Sequence, residues 1–141
     1  MKTRTKIRFG AVCVIMALSN GPVWAEGGLT VELNKLAPSE TACEAFFLFR
    51  NPTSAHLEGF ELSLAVLDQS GVIDSLLTID AAPIPAERTS LKLFEIPVAS
   101  CDAISEIILH DIPVCDVANQ GAQNCYDLVT LTSRAPVPLV K

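Results

Sequence analysis

The sequence is poor in several features that common functions require. It has 2 histidines and 10 lysines and arginines, against 16 aspartates and glutamates. It contains no Cys-x-x-Cys pair and no Gly-x-Ser-x-Gly motif, so neither a thioredoxin-like redox site nor the nucleophile elbow of a serine hydrolase is indicated. Beyond residue 26, no stretch approaches the roughly 18 consecutive apolar residues of a membrane-spanning helix. We therefore expect no membrane span in the mature form.

The N-terminus has the three-part layout of a secretory signal peptide. Basic residues alternate through the first eight positions and precede an apolar run from Phe9 to Leu18. A run of this length falls well short of the roughly 20 residues needed to span a bilayer. The segment "VWA" then provides small or compact residues for signal peptidase. We predict a signal peptide over residues 1–25, cleavage between Ala25 and Glu26, and a periplasmic or secreted mature protein.

Removal of this segment leaves a strongly acidic chain. Residues 26–141 hold 6 basic and 16 acidic residues, which gives a formal charge of −10. Such a chain is repelled by nucleic acid and by anionic lipid, so neither is expected as a partner. The basic residues are scattered along the sequence and predict no anion-binding groove: Lys35, Arg50, Arg88, Lys92, Arg134 and Lys141.

Apolar residues beyond the signal alternate with period two. In "GFELSLAVLD" (59–68), every second residue from Phe60 to Val66 is large and apolar, which is typical of a strand with one buried face. Shorter or noisier runs lie at 29–36, 43–51, 72–80, 89–96, 104–112 and 126–132. A helix is the alternative for 101–111, but β-branched content and Pro113 favour a strand. Short turn-rich connections and regular spacing predict an all-β antiparallel sandwich of about seven strands.

The predicted sandwich domain covers residues 26–132. The last residues, 133–141, carry alternate prolines and are expected to form an extended tail along a sheet edge. A docking peptide is the alternative for this tail.

The run "FFLFRNPTSAHLEGFELSLAVLDQSGVI" followed by "PIPAERTSLKLFEI" resembles the middle of bacterial immunoglobulin-like or fibronectin type III-like modules. The shared features are an Asn-containing turn, an Asp-x-x-Gly turn and a proline-rich loop with a Pro-Ala step. The whole chain also resembles small exported bacterial four-cysteine proteins of unknown function. This resemblance implies an immunoglobulin-like sandwich and a non-enzymatic role in binding or spacing other molecules. The sequence departs from antibody domains, because its only tryptophan lies in the predicted signal peptide.

Four cysteines remain after cleavage: Cys43, Cys101, Cys115 and Cys125. An even number in an exported chain indicates two disulfides. The spacings of 58, 14 and 10 residues do not match the two-to-four-residue spacing of zinc ligands. We therefore predict structural bridges, with no metal and no cofactor.

Strand direction selects one of the three pairings. If successive strands alternate in direction, Cys43 and Cys101 lie at one end of the sandwich, and Cys115 and Cys125 lie at the other. Any mixed pair would have to span a strand of about nine residues, on the order of 25 Å, whereas bridged Cα atoms lie about 6 Å apart. The predicted pairs are therefore Cys43 with Cys101 and Cys115 with Cys125.

His110 and Asp111 are the most catalytic-looking neighbours in the sequence. Adjacent residues on a strand point to opposite faces, so Asp111 would not orient His110. Carboxylate pairs such as Glu58 and Glu61 arise by chance in so acidic a chain, and they suit the solvated faces of a sandwich. We expect a non-catalytic periplasmic interaction or accessory module that contacts a protein or the cell envelope. The alternative is a small-ligand carrier or hydrolase on the same fold, with His110 and nearby carboxylates at its site.

Overall fold

The computed structural model describes residues 27–141. The predicted signal peptide and the cleavage position between Ala25 and Glu26 lie outside these residues.

Two β-sheets pack face to face. The strands are β1 (Thr30–Pro38), β2 (Cys43–Asn51), β3 (Leu57–Asp68), β4 (Ile73–Asp80), β5 (Arg88–Ile96), β6 (Ile104–Val117), β7 (Gly121–Ala122), β8 (Thr130–Ser133) and β9 (Leu139–Val140). The first sheet has the order β5-β2-β1-β8, and the second has the order β4-β3-β6-β7, with β9 also paired to β6. The predicted all-β sandwich is confirmed. Within residues 27–141, no helix is long or apolar enough to cross a membrane.

The sheets are mixed, whereas the sequence predicted antiparallel pairing throughout. β8 pairs in parallel with β1, and β9 pairs in parallel with β6. In the first sheet, β2 runs opposite to β1, whereas β8 runs the same way as β1. It joins the sheet at the free edge of β1, and the pair is therefore parallel. The predicted tail 133–141 thus contributes a strand to the edge of the second sheet.

Two predicted strands differ from the observed ones by more than two residues at one end. β6 continues to Val117, beyond the predicted end at 112, and its pairing with β3 steps from Val114 to Asp111. Pro113 lies in this irregular step, where its missing N–H interrupts no regular ladder. The predicted strand 126–132 begins instead with a 3-10 turn, Tyr126–Leu128, so that β8 starts only at Thr130. This turn is closed by the amide of Leu128, which donates to the carbonyl of Cys125 at 3.0 Å.

The core lies between the two sheets and follows the predicted alternation. Phe60, Leu62, Leu64 and Val66 of β3 are buried, as the period-two pattern requires. On the facing sheet, Phe49 packs edge-on against Phe60, with ring centroids 6.2 Å apart at 85°. Aromatic pairs in this arrangement add to the free energy gained by burial. Because the side of each sheet that faces the other sheet forms this core, the opposite side of each sheet faces solvent.

Candidate interaction surface

The outer face of the first sheet is defined by the alternation of β2. Residues 43, 45, 47, 49 and 51 of this strand are buried, and residues 44, 46, 48 and 50 point away from the core. β5 forms one edge of the sheet, and its whole length pairs with β2 on one side only. We call the solvent side of β5, β2, β1 and β8 the outer face.

Four apolar side chains form a block on this outer face, here called the apolar block. In the β2–β5 ladder, Phe46 lies opposite Leu93, and Leu48 lies opposite Leu91. Leu91 is 61% exposed and Leu93 is 50% exposed. The ammonium of Lys35, the β1 neighbour of Phe46, lies 5.2 Å from the centre of its ring. Apolar side chains held in water are unfavourable, so a contiguous block of them marks a surface suited to a partner.

An ionic cluster borders the apolar block on the β1 side. Glu32 is 6% exposed although it lies on the outer face. Its carboxylate accepts hydrogen bonds from the amide of Asn34 at 2.8 Å and from the guanidinium of Arg50 at 3.2 Å. Arg134, which follows β8, lies 3.5 Å from the same carboxylate. The side chains of two arginines and an asparagine therefore cover this glutamate.

The hydrogen bond from Asn34 holds the pKa of Glu32 below its ordinary value. Burial acts in the opposite direction, while the hydrogen bond and charge of Arg50 and the charge of Arg134 add to the lowering. The carboxylate is consequently ionised at neutral pH and acts as the anchor of the cluster. Both arginines can still contact another molecule, because the side chains of Arg50 and Arg134 remain 45% and 73% exposed.

An open cleft of about 620 Å³ lies at the end of the outer face where β2 ends and β5 begins. Arg50 and Arg88 line it, together with Thr30, Thr89 and Glu87. Two guanidinium groups beside hydroxyls can receive a carboxylate from another molecule. Although the basic residues are scattered along the sequence, strand pairing gathers four of them on or beside this face: Lys35, Arg50, Arg88 and Arg134.

A buried asparagine fixes the floor of this cleft. Asn51 is 2% exposed, and its Nδ2 donates to the carbonyl oxygens of Ala55 at 2.7 Å and Pro85 at 3.1 Å. Its Oδ1 accepts from the backbone amide of Thr53 at 3.1 Å and from the Thr53 hydroxyl at 2.7 Å. The predicted Asn-Pro turn is therefore tied to the loop between β4 and β5, which positions Arg88.

A second group of exposed apolar side chains lies on the edge strand of the other sheet. Val72 and Ile73, at the start of β4, are 60% and 57% exposed, and Leu76 is 68% exposed. The β3–β4 hairpin that carries them is closed at the predicted Asp-x-x-Gly turn, where Gly71 has a φ of 79° and its amide donates to the Asp68 carbonyl at 3.0 Å. In the described part of the chain, the large apolar side chains that stay well exposed are thus on or next to β4 and β5.

His110 and Asp111 lie on β6, and both side chains are exposed. Asp111 accepts a hydrogen bond from the backbone amide of Ile112 at 2.8 Å, and no hydrogen bond joins it to His110. Neither residue lines the cleft beside Arg50. Among residues 27–141, no three His, Cys, Asp or Glu side chains come together as metal ligands would. His110 and Asp111, the neighbours weighed for the alternative hydrolase, therefore share no hydrogen bond.

The cysteines form two disulfides, in the pairs that strand direction predicts. Cys43 is bonded to Cys101 with Cα atoms 5.0 Å apart, and Cys115 is bonded to Cys125 with Cα atoms 6.2 Å apart. The position of Cys115 differs from the expectation, since it lies within β6 and not beyond it. β7 pairs back onto the end of β6, so the second bridge closes a hairpin in which Asn119 and Gly121 have positive φ angles of 64° and 71°.

No family model, no curated protein and no solved structure matches the chain. The outer face and its geometry therefore carry the functional argument by themselves.

Sequence reasoning did not find the outer face as a site. The alternation in "CEAFFLFRN" already places Phe46, Leu48 and Arg50 on one side of β2. The positions of Leu91 and Lys35 beside them depend on which strands pair and in what register, and no local pattern contains that information.

Proposed function

We propose that the protein is an exported, non-catalytic interaction or accessory module that binds a partner protein through the outer face of its first sheet. The apolar block is the observation that carries this proposal. Two of its leucines are at least half exposed on an edge strand while the core between the sheets is filled. Such a block, bordered by charges, has the composition of a protein-binding surface.

The charged border supports recognition of a protein in preference to a small molecule. Glu32, Arg50 and Arg134 surround one side of the apolar block, and the cleft beside Arg88 is open to solvent. Small-molecule sites are usually concave and enclose most of the ligand. An open sheet face with an apolar centre and a polar rim instead matches the anatomy of protein interfaces.

Export rests on the signal-like N-terminus and agrees with the disulfides. Bridges of this kind form and persist in oxidising compartments, such as the bacterial periplasm. Fractionation followed by intact-mass measurement tests this part of the proposal. We expect the mature chain in the periplasmic or secreted fraction with Glu26 as its first residue. An uncleaved or lipid-modified chain would contradict it.

Photo-crosslinking in intact cells tests the interaction itself. A benzoylphenylalanine residue at Leu91 should give a covalent adduct with another polypeptide chain, because Leu91 lies in the apolar block. The same residue at His110, which is exposed on the other sheet, is the matched control and should give none. The absence of an adduct at both Leu91 and Leu93 would refute an interaction through this face.

A further inference from the structure

We infer that the outer face of the first sheet packs against the same face of a second copy of this chain. The two copies are related by a two-fold axis that lies between the two faces, runs perpendicular to the strands, and crosses β2 between Phe46 and Leu48. The inference rests on the proposed function, because it names the partner that the same surface takes. A C2 interface requires one patch to be complementary to itself. The residues of the outer face meet this requirement in both their apolar and their charged positions.

The apolar block is self-complementary about this axis. The rotation leaves each strand facing its own counterpart and reverses the strand direction. Leu48 then faces Phe46 of the second copy, and Leu91 faces Leu93 of the second copy. All four side chains of the apolar block would be covered by side chains of the same block. The face-to-face stacking is the arrangement by which sheets form a sandwich, with mean strand directions about 30° apart.

The charged positions are also complementary under the same rotation. Glu44 is two residues before Phe46 on β2, and Arg50 is two residues after Leu48, so both point to the outer face. The axis places Arg50 opposite Glu44 of the second copy. On β1, where a bulge separates Leu33 from Lys35, Glu32 pairs with Leu48 and Lys35 pairs with Phe46. The axis therefore also places Glu32 opposite Lys35 of the second copy, but its carboxylate is already covered by Arg50 and Arg134 and adds no ion pair across the axis.

The cleft at the end of the face receives the opposite end of the second copy. Arg50 and Arg88 line this cleft beside Thr89. Thr89 lies opposite Arg50 in the ladder, and Glu95 lies opposite Glu44. The rotation brings Glu44 and Glu95 of the second copy over this region, where they supply carboxylates to two guanidinium groups.

The distribution of charge favours this face over the others for self-association. Residues 26–141, with a formal charge of −10, repel a second copy over most of their surface. Four of their six basic residues lie on or beside the outer face, as described above. Approach of two copies through this face therefore brings together the surfaces that hold most of the basic residues of both chains.

The size of the face predicts a reversible dimer. Three strands of nine residues and one of four, spaced about 4.8 Å apart, give a projected area on the order of 500 Å² per copy. Two such faces lie near the lower limit of specific protein interfaces, which bury about 1,200 Å² in total. Interfaces near this limit belong to weak, transient complexes, so we expect a dissociation constant on the order of micromolar.

Sedimentation equilibrium of the purified mature chain tests the inference, with variants of two matched leucines. Leu91→Glu should weaken dimerisation by more than about tenfold, since it buries a charge against Leu93 of the second copy. Leu76→Glu places the same charge at a similarly exposed position on the edge strand β4 of the other sheet, and it should leave the dimer intact. A chain that stays monomeric up to about 500 μM, or equal effects of the two variants, would overturn the inference.

A charge reversal tests the orientation of the two copies. Glu44→Lys should weaken the dimer, because it sets a second cation against Arg50, and about 1 M salt should restore much of the loss by screening. Glu58→Lys changes the net charge equally on an exposed site of β3 and is the control. Equal weakening by both substitutions would overturn the facing arrangement.

The photo-crosslink at Leu91 separates the failure of this inference from failure of the proposed function. An adduct with the mass of two chains, mapped to residues of β2 or β5, supports the second copy as partner. An adduct with a different protein, from a chain that sediments as a monomer, overturns the dimer and leaves the interaction function in place. The absence of an adduct at both Leu91 and Leu93 would refute both the dimer and the proposed interaction function.

Discussion

The side-chain amide of Asn51 donates a hydrogen bond to the carbonyl of Pro85, across 34 residues of sequence, at 3.1 Å. This contact joins the end of β2 to the loop that precedes β5. Since Arg88 and Leu91 follow that loop, the same hydrogen bond positions both the cleft and the apolar block. The most buried polar side chain of this region thus connects the stability of the fold to its proposed binding face.

Replacement of Asn51 by Ala should be strongly destabilising. The substitution leaves buried groups of Thr53 and Ala55, and the part-buried carbonyl of Pro85, without their partner. The expected loss is about 2–4 kcal/mol of the free energy of unfolding. Urea denaturation measures it. Ser54→Ala, in the same loop but exposed, is the control and should change stability by less than about 0.5 kcal/mol. Similar values for the two variants would show that the Asn51 network contributes little.

The contribution of Glu32 to stability should depend on pH. Its folded-state pKa is lowered, mainly by the hydrogen bond from Asn34, so the folded protein binds the proton less readily than the unfolded chain does. The stabilisation is therefore fully present above the ordinary value of 4.5 and is lost as the pH falls through the lowered folded-state pKa. Glu32→Gln should reduce the melting temperature at pH 7, and the difference from wild type should shrink below pH 4.5. A difference that stays constant over this range would argue against the ionised form as the source.

The two disulfides should differ in their contribution to stability. The Cys43–Cys101 bridge closes 58 residues, and the Cys115–Cys125 bridge closes 10. In the chain-entropy treatment this difference in loop length is worth about 1.5 kcal/mol. The double variant Cys43→Ala with Cys101→Ala should therefore melt at a lower temperature than Cys115→Ala with Cys125→Ala. The reverse order in calorimetry would contradict this expectation, and peptide mapping of the wild type under non-reducing conditions checks the pairing itself.

The C-terminal strand should be required for full stability. Leu139 lies opposite Ile107 in the parallel pairing of β9 with β6, and it is 6% exposed. Leu139→Ala should cost about 2–3 kcal/mol, because it leaves a cavity at the edge of the core. Pro138→Ala, at the exposed neighbouring position, provides the comparison. Equal and small losses for both variants would indicate that residues 133–141 act as a loose tail.

The sequence was a good guide where a strand has one buried and one exposed face. The strand predicted at 43–51 has the observed bounds of β2, because its alternation and its Asn-Pro end are both local signals. Prediction failed at Tyr126, where a 3-10 turn replaces the expected strand. The turn directly follows Cys125, which is bonded to Cys115 of β6. The position of Cys125 relative to β6 depends on the tertiary structure.

The candidate surface was only partly accessible to sequence reasoning. The outward positions of Phe46, Leu48 and Arg50 follow from period two alone. Their grouping with Leu91 depends on the pairing of β2 with β5, and the contact of Arg134 with Glu32 depends on β8 entering the first sheet in parallel with β1. These partners are separated by about 40 to 100 positions, beyond the reach of any local pattern.

By itself, the sequence determined where most strands lie, which of their faces is apolar, and which ends of the sandwich hold each cysteine. These features follow from the two-residue repeat of an extended chain and from the alternating direction of successive strands. Only the tertiary structure decided the strand order, and hence that Arg50, Glu32, Leu91 and Phe46 share one surface. Strand order is set by the way two sheets together bury their apolar faces, and that free energy belongs to the whole chain and to no single segment.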